Sequence, residues 1–292
     1  MSRIAIVTDS VTCIPASLLE SLEIKSVPYY IHRGNEVLRD LVTIQRDEFY
    51  RWLPSALELP TTACPGPGDY LAAYQQMVEE TGADNLVSIH MSSKASGAYQ
   101  AAQAAQTMAA ESMPDIHIEV IDTLNAAMCH GWIAIEAARA ALSWFTLSEI
   151  LSLIKRMIPV TQMIQTADTL RYLYMGGRIC KAKHLVGSLL NIKPLISMQD
   201  GIIVPLGQAR SRHRAYQMMV EKVEETVGYL GKIKIAYLHA AAPEEVEKIK
   251  ALLEARLTCA ESLITELSPA LGVHTGPGTA GFCYFPVAAL ES

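Results

Sequence analysis

Residues 85–113, NLVSIHMSSKASGAYQAAQAAQTMAAESM, decide the reading of the fold. Asn85 to Ile89 is a short apolar run of the kind that forms a buried strand. Ser92-Ser93-Lys94-Ala95-Ser96-Gly97 is a hydroxyl-rich turn, and an alanine-rich helix follows to about Met113. A strand that delivers such a turn to a helix N-terminus offers hydroxyls and free backbone N–H groups pointing the same way. The helix dipole favours an anion there, and Gly97 lets the backbone approach closely. The turn suits a carboxylate or a phosphate. Taken alone, it also suits an ordinary N-cap by Ser93 or Ser96.

The same alternation extends in both directions. Upstream, Arg3 to Thr8 is a β-branched run that stops at Asp9-Ser10, and Pro15 to Leu22 is a helix opened by proline. Ile24 to Ile31 reads as a second strand, His32-Arg33-Gly34-Asn35 as a hairpin turn and Arg46 to Leu53 as a helix. Leu59 to Gly68 is rich in Pro and Gly and reads as a loop, leading to a helix over Asp69 to Glu80 with Tyr70, Leu71, Tyr74 and Val78 on one stripe. Downstream, Ile116 to Ile121 is a strand, and Gly131 to Leu142 and Leu147 to Met157 are helices. The second of these is capped by Thr146 or Ser148, with Glu149 in its first turn. This order implies a mainly parallel sheet with helices on both faces.

A second set of elements begins at Pro159 to Gln165, which places a domain boundary near residue 158: an N-terminal α/β domain over 1–158 and a smaller C-terminal α/β domain with a mixed sheet over 159–292. In the latter, Ile192 to Met198 and Ile202 to Leu206 form a hairpin, Arg212 to Val227 a helix, and Lys232 to His239 a strand. Pro243 to Arg256 is a proline-opened helix and Glu261 to Leu267 a strand, followed by a loop over Gly272 to Gly278.

Composition bounds the function. Half of the 292 residues are apolar and 18% are charged, which fits either a large core or an internal apolar cavity. No apolar stretch reaches the roughly 20 residues that span a bilayer, and MSRIAIVTDS lacks the features of a signal peptide, so a cytoplasmic protein is expected. The six cysteines are scattered without a C-x-x-C pair, which argues against a disulfide framework or a zinc site. A net charge of −6 argues against general nucleic-acid binding. Yet Arg171, Arg178, Lys181, Lys183, Lys193, Arg210, Arg212 and Arg214 are opposed only by Asp200 between residues 171 and 214. This segment is either a solvated basic face or a dock for an acidic partner or a phosphate.

Two further small-polar loops accompany the first: Thr61-Thr62-Ala63 and His274-Thr275-Gly276-Pro277-Gly278. In open α/β sheets, ligands bind at loops outside the carboxyl ends of the strands. A series of motifs then runs along nearly the whole chain: IAIVTDS at Ile4–Ser10, TACPGPGDY at Thr62–Tyr70, SSKASGAYQAA at Ser92–Ala102, VIDT at Val120–Thr123, TLRYLYMGGRI at Thr169–Ile179, NIKPLISMQDGII at Asn191–Ile203 and HTGPG at His274–Gly278. Together they resemble the DegV family of fatty-acid-binding proteins, the lipid-binding subunits of bacterial fatty-acid kinase. Cys64 and Gly66 stand where the family's pattern has Gln and Ser, Ala95 where it has Leu, and Ala98 where it has Thr.

The resemblance implies a carrier that holds one long-chain fatty acid and presents its carboxylate to an ATP-dependent kinase for acyl-phosphate formation. It implies no catalysis, metal or redox cofactor in this subunit. Thr62, Ser93, the N–H of Lys94 and His274 would hold the carboxylate. Thr61, Cys64, Ser96, Gly97, Arg178, Thr275 and Gly276 would form the pocket or its mouth, and Arg178, Lys181, Arg210 and Arg212 would dock the kinase. A monomer is expected, with transient contact to a membrane or an acyltransferase. Two alternatives remain: a serine hydrolase using Ser93 as nucleophile and His274 as base, oriented by Asp9 or Asp122, and a binder of another small anion. His90, His130 and His239 read as structural or surface residues.

Overall fold

A computed structural model describes residues 2–182, 192–228 and 231–291 of the chain. Lys183 of the basic segment and Asn191 of the NIKP motif lie outside the described residues.

The first layer is a four-stranded parallel sheet of β1 (Ile4–Asp9), β2 (Ile24–Val27), β6 (Asn85–His90) and β7 (His117–Asp122), in the order β2-β1-β6-β7. Every residue of β1 is buried, as expected of a strand covered on both faces. The chain leaves β1 towards β2 on one side and returns through β6 on the other, so the crevice where direction switches lies beyond Asp9 and His90. That crevice is where open α/β sheets place ligands. Helices α1 (Ala16–Ser21), α3 (Pro67–Thr81), α4 (Ala98–Ser112), α5 (Met128–Leu142) and α6 (Leu147–Met157) accompany the sheet, and α2 (Arg46–Trp52) precedes α3 in the chain. The Thr146 hydroxyl accepts from Glu149 N while the Glu149 carboxylate accepts from Thr146 N, so of the two caps expected for α6 it is Thr146 that serves, in a capping box with Glu149.

The second layer is a six-stranded mixed sheet in the order β10-β9-β8-β13-β11-β12. It comprises β8 (Gln162–Thr166), β9 (Lys193–Gln199), β10 (Ile202–Ala209), β11 (Lys232–His239), β12 (Thr258–Glu266) and β13 (Ala280–Pro286). Among the described residues of this sheet only β11 and β12 pair in parallel, and α9 (Pro243–Glu254) makes their crossover. Helix α8 (Arg212–Val227) packs beside α9. Two short helices, α7 (Arg171–Met175) and α10 (Pro269–Thr275), meet near the cleft. Two α/β domains are therefore present, with a parallel first sheet and a mixed second one.

Helix α5 lies at the junction of the lobes and is buried on nearly every side, which explains why apolar residues occupy most of its faces and why its charges, Glu136 and Arg139, are paired. Trp132 Nε1 donates to Cys283 O at 3.2 Å, and the Trp132 and Phe285 rings meet edge to face. No helix among the described residues is long and apolar enough to cross a membrane.

Four local readings are corrected by tertiary pairing. Ile24–Ile31 is two strands: β2 ends at Val27, and β3 (Tyr30–Arg33) joins a separate antiparallel sheet with β4 (Glu36–Arg39) and β5 (Thr61–Ala63) in the order β4-β3-β5. Pro28, which has no N–H to donate, stands between them. Thr61-Thr62-Ala63 is not loop but strand β5, because β3 offers it an open edge at Ile31–Thr62. The 272–278 loop begins as helix, since Ser268 caps α10 by accepting from Leu271 N. The stripe of α3 is Tyr70, Ala73, Tyr74 and Met77, with Leu71 and Val78 only partly covered. Strand β13 has no counterpart in the local reading, although it is central to its sheet.

Candidate functional site

The crevice beyond β1 and β6 opens into a cavity of about 380 Å³, within the roughly 300–1,000 Å³ usual for small-molecule sites. Its wall is mainly apolar and comes from both lobes: Met91 and Ala127 from the first, Met163, Leu173, Ile196 and Met198 from the second. Unbranched methionines adapt to an irregular guest. None of these positions carries a local signal, because each reads as an ordinary core residue until the lobes meet.

At one end the wall turns polar. Thr62 on β5 and His274 on α10 meet there, Oγ1 to Nε2 at 2.8 Å, 212 residues apart in sequence. Burial, then the nearby Arg178 charge, pushes the His274 imidazole down to about 4, so the ring is neutral at pH 7. Its Nδ1 is buried without a hydrogen-bond partner. Gly176 makes this approach possible: a Cβ there would lie 2.3 Å from that nitrogen. Thr62, Arg178 and His274 also line a second hollow of about 460 Å³ on the outer side, together with Thr61, Arg171 and Leu57. The Thr62–His274 pair thus stands at the border between an apolar interior and an outer hollow that carries two guanidinium groups.

The serine turn is placed less simply. Lys94, Ser96 and Gly97 line the cavity with Cys64 and Thr275, whereas Ser93 and Gly276 are not among its lining residues. Ser96 Oγ contacts Tyr29 OH at 2.7 Å and accepts from Ala98 N at 3.3 Å, so it serves the start of α4 and the pocket wall together. Ser92 Oγ donates to Gly201 O at 2.7 Å and Lys94 Nζ to Asp200 O at 2.8 Å, which pins the turn against the β9–β10 hairpin. Gly201 has φ +81 and leaves no room for a side chain beside Ser92 Oγ. The Lys94 N–H faces Ser92 Oγ at 3.2 Å. The Ser93 N–H donates to Asp122 Oδ1 at 3.2 Å. Gly276 stacks its backbone on the Tyr172 ring.

The hydrolase arrangement is not formed. His274 engages Thr62 rather than Ser93, and an imidazole held near 4 is a weak base at neutral pH. Asp9 instead sits wholly buried between His90 and His130, at 3.3 and 3.4 Å. Burial opposes its charge, but the two imidazoles hold its carboxyl below the usual range. Asp122 spends Oδ1 on the backbone of Ser93 and Leu124. His90 and His130 are core residues, and His239 is largely covered beside Glu266. Among the described residues no cluster of His, Cys, Asp or Glu is arranged to hold a metal ion.

The basic segment divides. Arg178, Lys181 and Arg210 are exposed, and Arg178 Nη1 donates to Gly176 O at 2.6 Å. Arg212 is committed internally: it pairs with Asp168 at 2.7 Å and donates to Gly278 O at 2.6 Å. Asp168 also takes Lys193. Arg212 therefore holds the turn that follows His274.

Comparison with known proteins places this geometry in a family. A family profile described as "Uncharacterised protein, DegV family" matches residues 3–287. A DegV domain-containing protein of Caldanaerobacter subterraneus subsp. tengcongensis is 30% identical, over 96% of this chain and 98% of its own. A solved DegV-family protein from Thermus thermophilus, described as binding fatty acid, superposes with a TM-score of 0.90 at 29% identity, over 98% of this chain and all of the other. DegV from Bacillus subtilis, described as a fatty acid binding protein, gives 0.85 at 28% identity with the same coverage.

Proposed function

The chain belongs to the DegV family, and from that premise we propose that it carries one long-chain fatty acid, with the carboxylate at Thr62 and His274 and the acyl chain in the cavity between the lobes. The observation that carries this reading is the polar pair at the border of a mainly apolar cavity. Each buried CH₂ contributes about 0.8 kcal/mol of gross transfer energy, so the tail supplies most of the affinity. The Thr62 hydroxyl, the His274 ring and donors of the serine turn give orientation. In this reading Lys94, Ser96 and Gly97 contribute from the cavity wall, and Ser93 joins them by rotating its side chain inward when the anion binds.

The outer hollow fits presentation. A carboxylate at the border is reachable from outside through Thr61, Arg171 and Arg178, and guanidinium forks suit phosphate. We therefore assign the carrier to an ATP-dependent fatty-acid kinase as partner, with Arg178, Lys181 and Arg210 as docking cations and an acyl-phosphate as product. The protein works as a cytoplasmic monomer, with domains at 1–158 and 159–292, and meets a membrane or an acyltransferase only transiently.

Native mass spectrometry of protein purified without added lipid tests the carrier. The expected spectrum shows one co-purifying long-chain fatty acid, lost in a Thr62→Ala, His274→Ala double variant. Lipid-free wild-type protein that also fails to take up palmitate or oleate would refute the reading. Arg178→Glu is expected to lower kinase-supported turnover while leaving lipid binding intact.

A further inference from the structure

Ser10, the residue that follows β1, is a serine that the ligand site does not use. Ser10 Oγ donates to Asp40 Oδ2 at 2.6 Å, and Tyr29 N donates to the same Ser10 oxygen at 3.1 Å. Asp40 Oδ1 accepts from Ala270 N at 3.0 Å, across 230 residues of sequence. Asp40 is completely buried. A buried carboxylate is costly unless its oxygens are satisfied, and Ser268 already supplies an N-cap for α10. Ser268 satisfies only the Leu271 N–H, so the remaining orphan donor of the first turn, Ala270 N–H, is met from the first lobe by Asp40.

Its neighbours indicate a further task. The segment leading into α10 is held by the first lobe through Arg46 Nε to Glu266 O at 2.9 Å, Tyr50 OH to Leu267 O at 3.1 Å, and Thr265 Oγ1 to Cys13 O at 2.8 Å. Gly272 packs so tightly on Phe49 and Tyr50 that a Cβ would lie 2.7 Å from them. From Ala270 to His274 is four residues, about one helical turn. The position of the imidazole-bearing end of α10 therefore depends on where its first turn is fixed, and Asp40 is the side chain that hydrogen-bonds Ala270 N there.

We propose that Asp40 is a positioning residue: with Ser10 it latches α10 to the first lobe so that His274 meets Thr62 in the geometry that receives an anion. The role in ligand binding rests on the carrier reading, but the placement of His274 does not. A carboxylate suits the task because it accepts from a hydroxyl and an amide at the same time, and both are supplied by the first-lobe segment after β1 and the second-lobe helix that must be brought together.

The test compares Asp40→Ala with Asp40→Asn. The readouts are the His274 Cε1–H titration by NMR, displacement of a fluorescent fatty acid by palmitate, and the melting temperature. In the wild type the imidazole titrates near 4 because it is buried beside Arg178. Releasing α10 admits water to the ring, so Asp40→Ala is expected to raise that titration by about one pH unit and weaken palmitate about tenfold. Asp40→Asn retains an acceptor for Ala270 N–H and can donate to Ser10 Oγ, so both readouts are expected to stay within about twofold of wild type. A purely structural role would lower the melting temperature without moving the His274 titration, and that result overturns the proposal. Equal loss in the Ala and Asn variants also overturns it. Ser10→Ala, which removes the hydroxyl's bonds to Asp40 and Tyr29 but leaves Asp40 on Ala270 N, is expected to shift both readouts the same way by a smaller amount, and keeps the test available if Asp40→Ala does not fold. Wild-type protein that binds no fatty acid refutes the carrier reading alone, because the His274 titration needs no lipid.

Discussion

The two seams between the lobes are made of opposite materials. Along α5, Glu136 Oε1 meets Arg139 at 2.8 Å and Lys234 at 2.7 Å, and Arg139 grips Glu261 with two bonds of 2.7 Å. Trp132 and Phe285 fill the space beside this network. At the other seam, Thr62 and His274 make one hydrogen bond over a void lined by methionine, leucine and isoleucine. One seam is closed by paired charge and packing, whereas the other, pinned at its side by Ser92 on Gly201 and Lys94 on Asp200, carries at the cavity a contact that a carboxylate can replace. A cavity lowers stability because its walls lack partner atoms. The lesson is that the closed seam holds the lobes in register so that the open seam can enclose a guest.

The largest effect is expected where the closed seam is broken. Glu136→Ala removes the most buried carboxylate of this network and leaves Lys234 and Arg139 to Glu261 alone, and a loss of about 3 kcal/mol in urea unfolding is expected. Fatty-acid affinity measured under folding conditions should change little. A large change in affinity with little loss of stability would reverse the roles assigned to the two seams.

Acid acts on the open seam. His274 has its titration depressed from 6.5 to about 4 in the fold, so the unfolded chain takes up the proton first. Its contribution is therefore fully present above pH 6.5 and is lost as pH falls towards 4. The full shift corresponds to at most roughly 3 kcal/mol. Urea midpoints at pH 7 and pH 4.5 should separate more for the wild type than for His274→Gln. Equal separations would show that His274 is solvated and that the seam is looser than described.

A smaller change sharpens the same contrast. Gly176→Ala places a methyl group against His274 Nδ1. Overpacking of this kind costs about 1–3 kcal/mol, and relief by displacing the imidazole should weaken fatty-acid binding more than it lowers the melting temperature. A variant with wild-type affinity would mean that the ring's position is not set by the Gly176 backbone.

Much of the fold was legible because its signals are local. The Asn85–His90 strand, the Thr146–Glu149 capping box, the proline opening of α9, and the 212–227 helix all follow from adjacent residues. The site was legible in part, through motif likeness: Thr62 and His274 were marked, and the fold brings them to 2.8 Å. Ser93 was marked with them, but the fold aims Ser92 at Gly201 and leaves Ser93 outside the cavity lining. Arg212 looked like one basic residue among several until Asp168 and the Gly278 carbonyl were found beside it.

The sequence by itself determined the alternation of strand and helix, the polar turns and the family, because periodicity, caps and motifs are written in neighbouring residues. Only the tertiary structure decided that Thr61–Ala63 is a strand, that α10 is seated in the first lobe, and that Met91, Met163 and Met198 face a void. Those outcomes depend on partners 30 to more than 200 residues away. An apolar side chain carries no local mark that tells a packed neighbour from an empty space.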